Sequence, residues 1–131
     1  MNNLILSLVA GLGATLAIGV LSYAEVSLTE VVLLMAPFGA TAVLVFGVPS
    51  SPLAQPKNVI IGHFITASIG IAFSQYVEIT PITLAIATGL GVSAMLITKT
   101  THPPAGANPI LIMASGQGWS FLFTPVLIGA V

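Results

Sequence analysis

Two short runs, Ala36-Pro37-Phe38-Gly39-Ala40-Thr41 and His102-Pro103-Pro104-Ala105-Gly106-Ala107, break an otherwise aliphatic chain. Proline in the first turn of a helix gives up only an N–H that would be unpaired there. The residues that follow, Phe38-Gly39-Ala40-Thr41 and Ala105-Gly106-Ala107-Asn108, would present free backbone N–H groups behind small side chains. A helix N-terminus carries roughly half a positive charge, so two such ends facing one spot would hold a small monovalent anion weakly, without arginine. Either break alone reads as a packing kink. Two at matched positions, each beside polar residues, point to a solute site after Pro37 and Pro104.

The two histidines extend that chemistry. His102 stands before Pro103-Pro104, within reach of Lys99, Thr100 and Thr101. It can donate to an anion, carry a proton or hold a loop carbonyl. His63 lies near the start of an apolar segment, after Gln55-Pro56-Lys57-Asn58. An ionisable group inside a membrane segment is a functional candidate by default, and a hydrogen-bonded structural histidine is the alternative. Lys57, Asn58 and Lys99 are candidates for an electrostatic mouth.

Other chemistries find little support. There is no cysteine, and two histidines without Asp, Cys or a nearby Glu make a poor metal site, so no metal or cofactor is expected. No Gly-x-Ser-x-Gly elbow and no phosphate-binding Gly-Lys-Ser/Thr loop occurs, so no enzyme is expected. A net charge of −1 without arginine argues against nucleic acid.

The elements that position these residues must sit in lipid. The 131 residues are 56% hydrophobic and 4% charged, with a mean hydropathy of +1.14. Soluble domains are about 25% charged, so the composition predicts an all-α integral membrane protein, a single helical bundle over residues 1–131. Apolar segments run from Leu4 to Tyr23, Val31 to Val48 (broken by Pro37 and Gly39), Val59 to Tyr76 and Ile79 to Thr98, followed by a short piece, Pro104 to Ser115, and a last run from Trp119. The first has no basic flank and reads as a retained span rather than a cleaved signal. The last has 13 residues against the roughly 20 needed to cross, which predicts that it continues beyond Val131. If all six cross, Lys57 and Lys99 fall on one side with the N-terminus, while Glu25, Glu30, Glu78, Tyr23, Tyr76 and Trp119 fall on the other. That sorting predicts a cytoplasmic N-terminus and cytoplasmic lysine loops. Gly11, Thr15 and Gly19, like Gly62, Thr66 and Gly70, line one helix face each, and read as close packing within the bundle or a homo-oligomer.

An internal repeat explains the matched breaks. At an offset of 67 residues Pro37-Phe38-Gly39-Ala40 falls on Pro104-Ala105-Gly106-Ala107, and Ile61-Gly62 falls on Ile128-Gly129. Repeat units 1–77 and 78–131, each with a Pro-Gly broken or half helix, would be inverted if each holds three crossings, and parallel if the short pieces only dip in. Inverted repeats with broken helices mark transport sites near the bilayer midplane.

His102-Pro103-Pro104-Ala105-Gly106-Ala107, Ala36-Pro37-Phe38-Gly39-Ala40 and Ser51-Pro52-Leu53-Ala54-Gln55-Pro56-Lys57-Asn58-Val59-Ile60-Ile61-Gly62-His63 together resemble the HPP family of integral membrane proteins. The resemblance covers nearly the whole chain. It implies a bacterial or cyanobacterial inner membrane or a plastid envelope, nitrite or a similar small anion as the solute, and fewer crossings than the six segments counted. The resulting expectation is a transporter or channel for such an anion, with His63 and His102 polarising or protonating along the path. The alternative is a membrane scaffold or sensor whose His-Pro-Pro loop binds a partner.

Overall fold

A computed structural model describes residues 2–28 and 32–131; Glu30, Val31 and the charge and boundary assigned to them above lie outside the described residues. The described residues form helices joined by short turns, with no strand among them.

Helix α1 (Asn3–Ser27) opens where the Asn2 side chain accepts the Leu4 N–H at 3.1 Å. At about 1.5 Å per residue it outreaches a hydrocarbon core of about 30 Å. None of its residues is buried. Near its C-terminal end the Glu25 carboxylate accepts the N–H groups of Leu33 (3.3 Å) and Leu34 (2.9 Å), tying down the chain that returns beside it.

That returning segment is broken at Pro37, as expected from the proline within Val31–Val48, while Gly39 lies inside the helix that follows. Residues 32–35 are irregular, α2 (Pro37–Ala42) starts at the proline, and a π-helical stretch, Val43–Gly47, completes it. Pro37 has no N–H for an i−4 carbonyl, so the helix can begin here but not pass through, although Ala36 itself has helical dihedrals. Ile18 and Leu21 of α1 lie by Phe38 and Thr41, while Ala10 and Gly11 lie by Phe46 and Gly47, so the two helices run antiparallel. The segment thus traverses the bundle half as irregular chain and half as helix.

Pro52–Ala54 makes a 3-10 turn before α3 (Pro56–Tyr76), and Thr80 caps α4 (Pro81–Ile97) by reciprocal bonds with Thr83. The α3 face that carries Gly62, Thr66 and Gly70 is the packing face. A methyl at Gly62 would stand 2.9 Å from the Thr100 carbonyl, and one at Gly70 would stand 2.9 Å from the Cα of Pro109. Gly91 of α4 fits against Thr66 in the same way. Gly11 and Gly19 on α1 face open space.

The second break is a 3-10 turn, Pro103–Ala107, leading into α5 (Asn108–Ser115). Asn108 meets Thr66, Pro109 meets Gly70, and the Gln75 amide donates to the Gln117 carbonyl at 3.1 Å, so α5 runs parallel to α3. By contrast Thr41 meets His63 while Val45 and Phe46 share a hollow with Val59, so α2 runs antiparallel to α3. The two half-helices therefore start at the level of His63 and leave in opposite directions. The chain then turns back through a π-helical stretch, Leu122–Leu127, kinked at Thr124, and α6 (Ile128–Ala130), where Gly129 abuts Phe38. Met35, Phe38, Ala67, Ile71, Ile112, Leu122 and Val126 form the core.

Among the described residues only α1 and α3 are long and apolar enough to cross a bilayer as single helices; Pro37–Gly47 and Pro81–Ile97 are shorter. Lys57 and Lys99 sit at the end where α3 begins, and Glu78 sits at the other end with Tyr76 and Trp119, whose indole N–H donates to the tyrosine hydroxyl at 3.1 Å. The C-terminal end of α1, with Glu25, shares that second end.

Candidate functional site

Where the half-helices begin, the bundle closes over six buried polar residues: Thr41, His63, Thr66, Thr100, His102 and Asn108. The last residues of α2 supply Thr41, α3 supplies His63 and Thr66, the connection after α4 supplies Thr100 and His102, and the first turn of α5 supplies Asn108. Gly62 lets the His102 connection lie flat on α3, its absent Cβ only 3.0 Å from that of His102. The imidazole rings stand 5.0 Å apart, and the Phe38 ring meets His63 edge-on at 5.4 Å.

The hydroxyl of Thr41 joins the histidines, 3.0 Å from Nε2 of His63 and 2.9 Å from Nε2 of His102. At the outer ends, Nδ1 of His102 is 2.8 Å from the Leu53 carbonyl, and Nδ1 of His63 is 2.9 Å from the Asn108 amide nitrogen. Counting donors fixes the protons. The Thr66 hydroxyl spends its proton on the Gly62 carbonyl at 2.8 Å, so it must accept from the Asn108 amide at 3.0 Å. The other amide hydrogen then goes to Nδ1 of His63, which must carry its own proton on Nε2 and donate it to Thr41. A carbonyl accepts only, so His102 carries its proton on Nδ1, leaving Nε2 to accept the Thr41 O–H. All four bonds point one way, from Asn108 to Leu53. Burial holds His102 below the ordinary histidine range, partly offset by its bond to the Leu53 carbonyl, so this neutral form is the resting one.

Pro37, Ala40, Pro104 and Ala107 line a groove of about 810 Å³ that opens between the two breaks, with Leu44 and Leu111 farther out. Its walls are almost entirely apolar, and the Thr41–histidine cluster lies behind them.

The expectation of free backbone donors is overturned at Phe38, Gly39, Ala105 and Asn108. The N–H groups of Phe38 and Gly39 donate to the Met35 and Ala36 carbonyls at 3.0 Å each, and that of Ala105 donates to the His102 carbonyl at 2.9 Å. That of Asn108 donates to Ala105. Both breaks start with tight i→i−3 turns that consume the donors before a solute could. Gly106, like Gly39, has open space where a Cβ would stand. Lys57 and Lys99 are exposed, but Asn58 is committed, its amide holding the Thr101 carbonyl at 2.8 Å. Thr66 and the Leu53 carbonyl were not singled out as site groups. Thr66 could have been, since it sits three positions after His63 on the same helix face.

The model of the HPP transmembrane region matches residues 2–131. The chain belongs to the HPP family. Two proteins of Dictyostelium discoideum, each described as a transmembrane protein, are 36% identical to it over 124 residues, covering 88% of this chain. The HPP chain spans 44% of the length of one and 40% of the other. No solved structure matches it. Family, relatives and helical architecture agree that this is an integral membrane protein of the HPP type.

Proposed function

We propose that this HPP protein carries a small weak-acid anion of the nitrite class across the membrane together with a proton. The observation that carries the reading is the meeting of two oppositely directed half-helices at a buried His–Thr–His chain beside an apolar groove. The groove offers no fixed charge to a bare anion, and the donors of Phe38, Gly39 and Ala105 are spent. A neutral acid fits such walls, and a histidine that gives and takes a proton is the group needed beside them. Neutral passage also avoids the opposition of the membrane potential, about 2.3 kcal/mol per charge per 100 mV. Nitrite itself comes from the family resemblance; the residues ask only for a small acid.

In this reading the N-terminus and the lysine end face the cytoplasm, Lys57 and Lys99 draw the anion to the mouth, and α1 packs in a homo-oligomer through its open Gly11 and Gly19 face. The test is nitrite uptake into proteoliposomes at several pH values, with nitrate, formate and bicarbonate as competitors. Uptake should rise as the outside is acidified and fall with His102→Ala and with Ala40→Leu, which adds bulk to the groove lining. A scaffold would show no flux and no response to either variant.

A further inference from the structure

We infer that the chain Asn108–His63–Thr41–His102–Leu53 is a binding site for a single proton, and that His102 takes it while the Thr41 hydroxyl turns to make room. A threonine oxygen has one hydrogen to give and two lone pairs to receive with. In the neutral chain Thr41 receives from His63 and gives to His102. A second acceptor for its hydrogen is already in place, the Pro37 carbonyl at 3.2 Å. When a proton arrives on Nε2 of His102, Thr41 redirects its hydrogen to Pro37 and receives from both imidazoles at once. No hydrogen bond is lost, and no heavy atom need move.

His63 has no such option. Its free lone pair, on Nδ1, faces an amide N–H2 whose orientation is fixed from the other side by Thr66. A proton there would confront a donor, and relief would require Asn108 to turn over and break both amide bonds. The same orientation leaves the Asn108 carbonyl oxygen buried and without a hydrogen bond among the described residues. A second proton in the cluster would also set two imidazolium rings 5.0 Å apart. The capacity is therefore one.

No other titratable group faces His102 from the elements around it among the described residues. Lys57 of α3 and Lys99 after α4 are exposed, Glu78 is exposed at the far end of the bundle, and Glu25 of α1 is bound to Leu33 and Leu34. Leu53 and Thr41 bring only a carbonyl and a hydroxyl. The inference deepens the transport reading by naming which histidine would move the proton and what gates it, but it is tested without any solute.

The experiment is long-range proton–nitrogen correlation of the histidine-labelled protein in nanodiscs, acidified from about pH 8 to about pH 4, a span around the ordinary histidine value. At the alkaline end His63 should be the Nε2–H tautomer and His102 the Nδ1–H tautomer. On acidification His102 alone should gain its second proton, at Nε2. In Asn108→Asp a carboxylate faces His63, and the proton should move there. In Thr41→Val the charged Nε2–H of His102 loses its acceptor, and its midpoint should fall by about one unit or more, a tenfold weaker hold. An Nδ1–H tautomer on His63, protonation of His63 before or with His102, or no protonation of either histidine overturns the inference. Normal titration without nitrite flux would sink the transport reading alone, and flux with the wrong titration would sink this one alone.

Discussion

Thr41→Val is the sharpest perturbation of the buried chain, because valine keeps the shape and deletes only the hydroxyl. Two groups lose their partner at once, the N–H of His63 and the Nε2 lone pair of His102, both fully buried. An orphaned buried polar group costs about 1–3 kcal/mol, so the pair brackets a loss of about 2–6 kcal/mol. Hydrogen bonds between membrane helices average nearer 0.6 kcal/mol, which favours the low end. A loss of about 2 kcal/mol is roughly thirtyfold in the folding equilibrium. Thr41→Ser provides the contrast: it keeps the hydroxyl and gives up one methyl, about 0.8 kcal/mol. Unfolding in mixed micelles of mild detergent and dodecyl sulfate reads both variants. If valine proves as stable as serine or more so, the threonine bridge does not hold the histidines and the proton assignment built on it fails.

Three further outcomes follow from the same geometry. Gly62→Ala should destabilise by about 1–3 kcal/mol, because the new methyl meets backbone at Thr100, whereas Gly89→Ala, in open space within α4, should stabilise by up to about 1 kcal/mol through helix propensity; thermal unfolding of the two in one detergent checks the pair. His102 sits below its unfolded value of 6.5, so its contribution to stability is complete above that pH and is lost as pH falls through the lower folded value; a melting midpoint that rises between pH 7.5 and 5 would contradict the shift. Ala107→Phe adds a ring at the groove between the breaks and should abolish uptake while leaving the unfolding midpoint within a few degrees of wild type, since Ala107 is exposed.

Much of the architecture could be read from the chain, because lipid imposes helices on any sequence with so few charges. The Pro-Gly breaks were visible for a related reason: proline states where a helix can start. What could not be read was how the chain fills the interval before Pro37. Hydropathy treats Val32, Leu33 and Met35 as span, whereas in the structure the Glu25 carboxylate takes up the amides of Leu33 and Leu34 that a helix would otherwise have to satisfy. His63 and His102 were legible as candidates by type, but their junction through Thr41 depends on a contact 22 positions from one and 61 from the other. The free N–H groups anticipated at the breaks failed on a local detail. Each break starts with a three-residue turn, whose bonds reach carbonyls that an α-helical pattern would have left aside.

The first helix touches the rest of the protein without burying a single residue, and its tightest seam is Gly13 against the Phe46 ring. A saturation scan should therefore find most of α1 indifferent to apolar exchange, with intolerance confined to Gly13 and to the Gly11 and Gly19 face proposed to meet a second copy. Such a helix is free to drift in length and composition with the thickness of its host bilayer, while the polar heart behind α2 stays as it is.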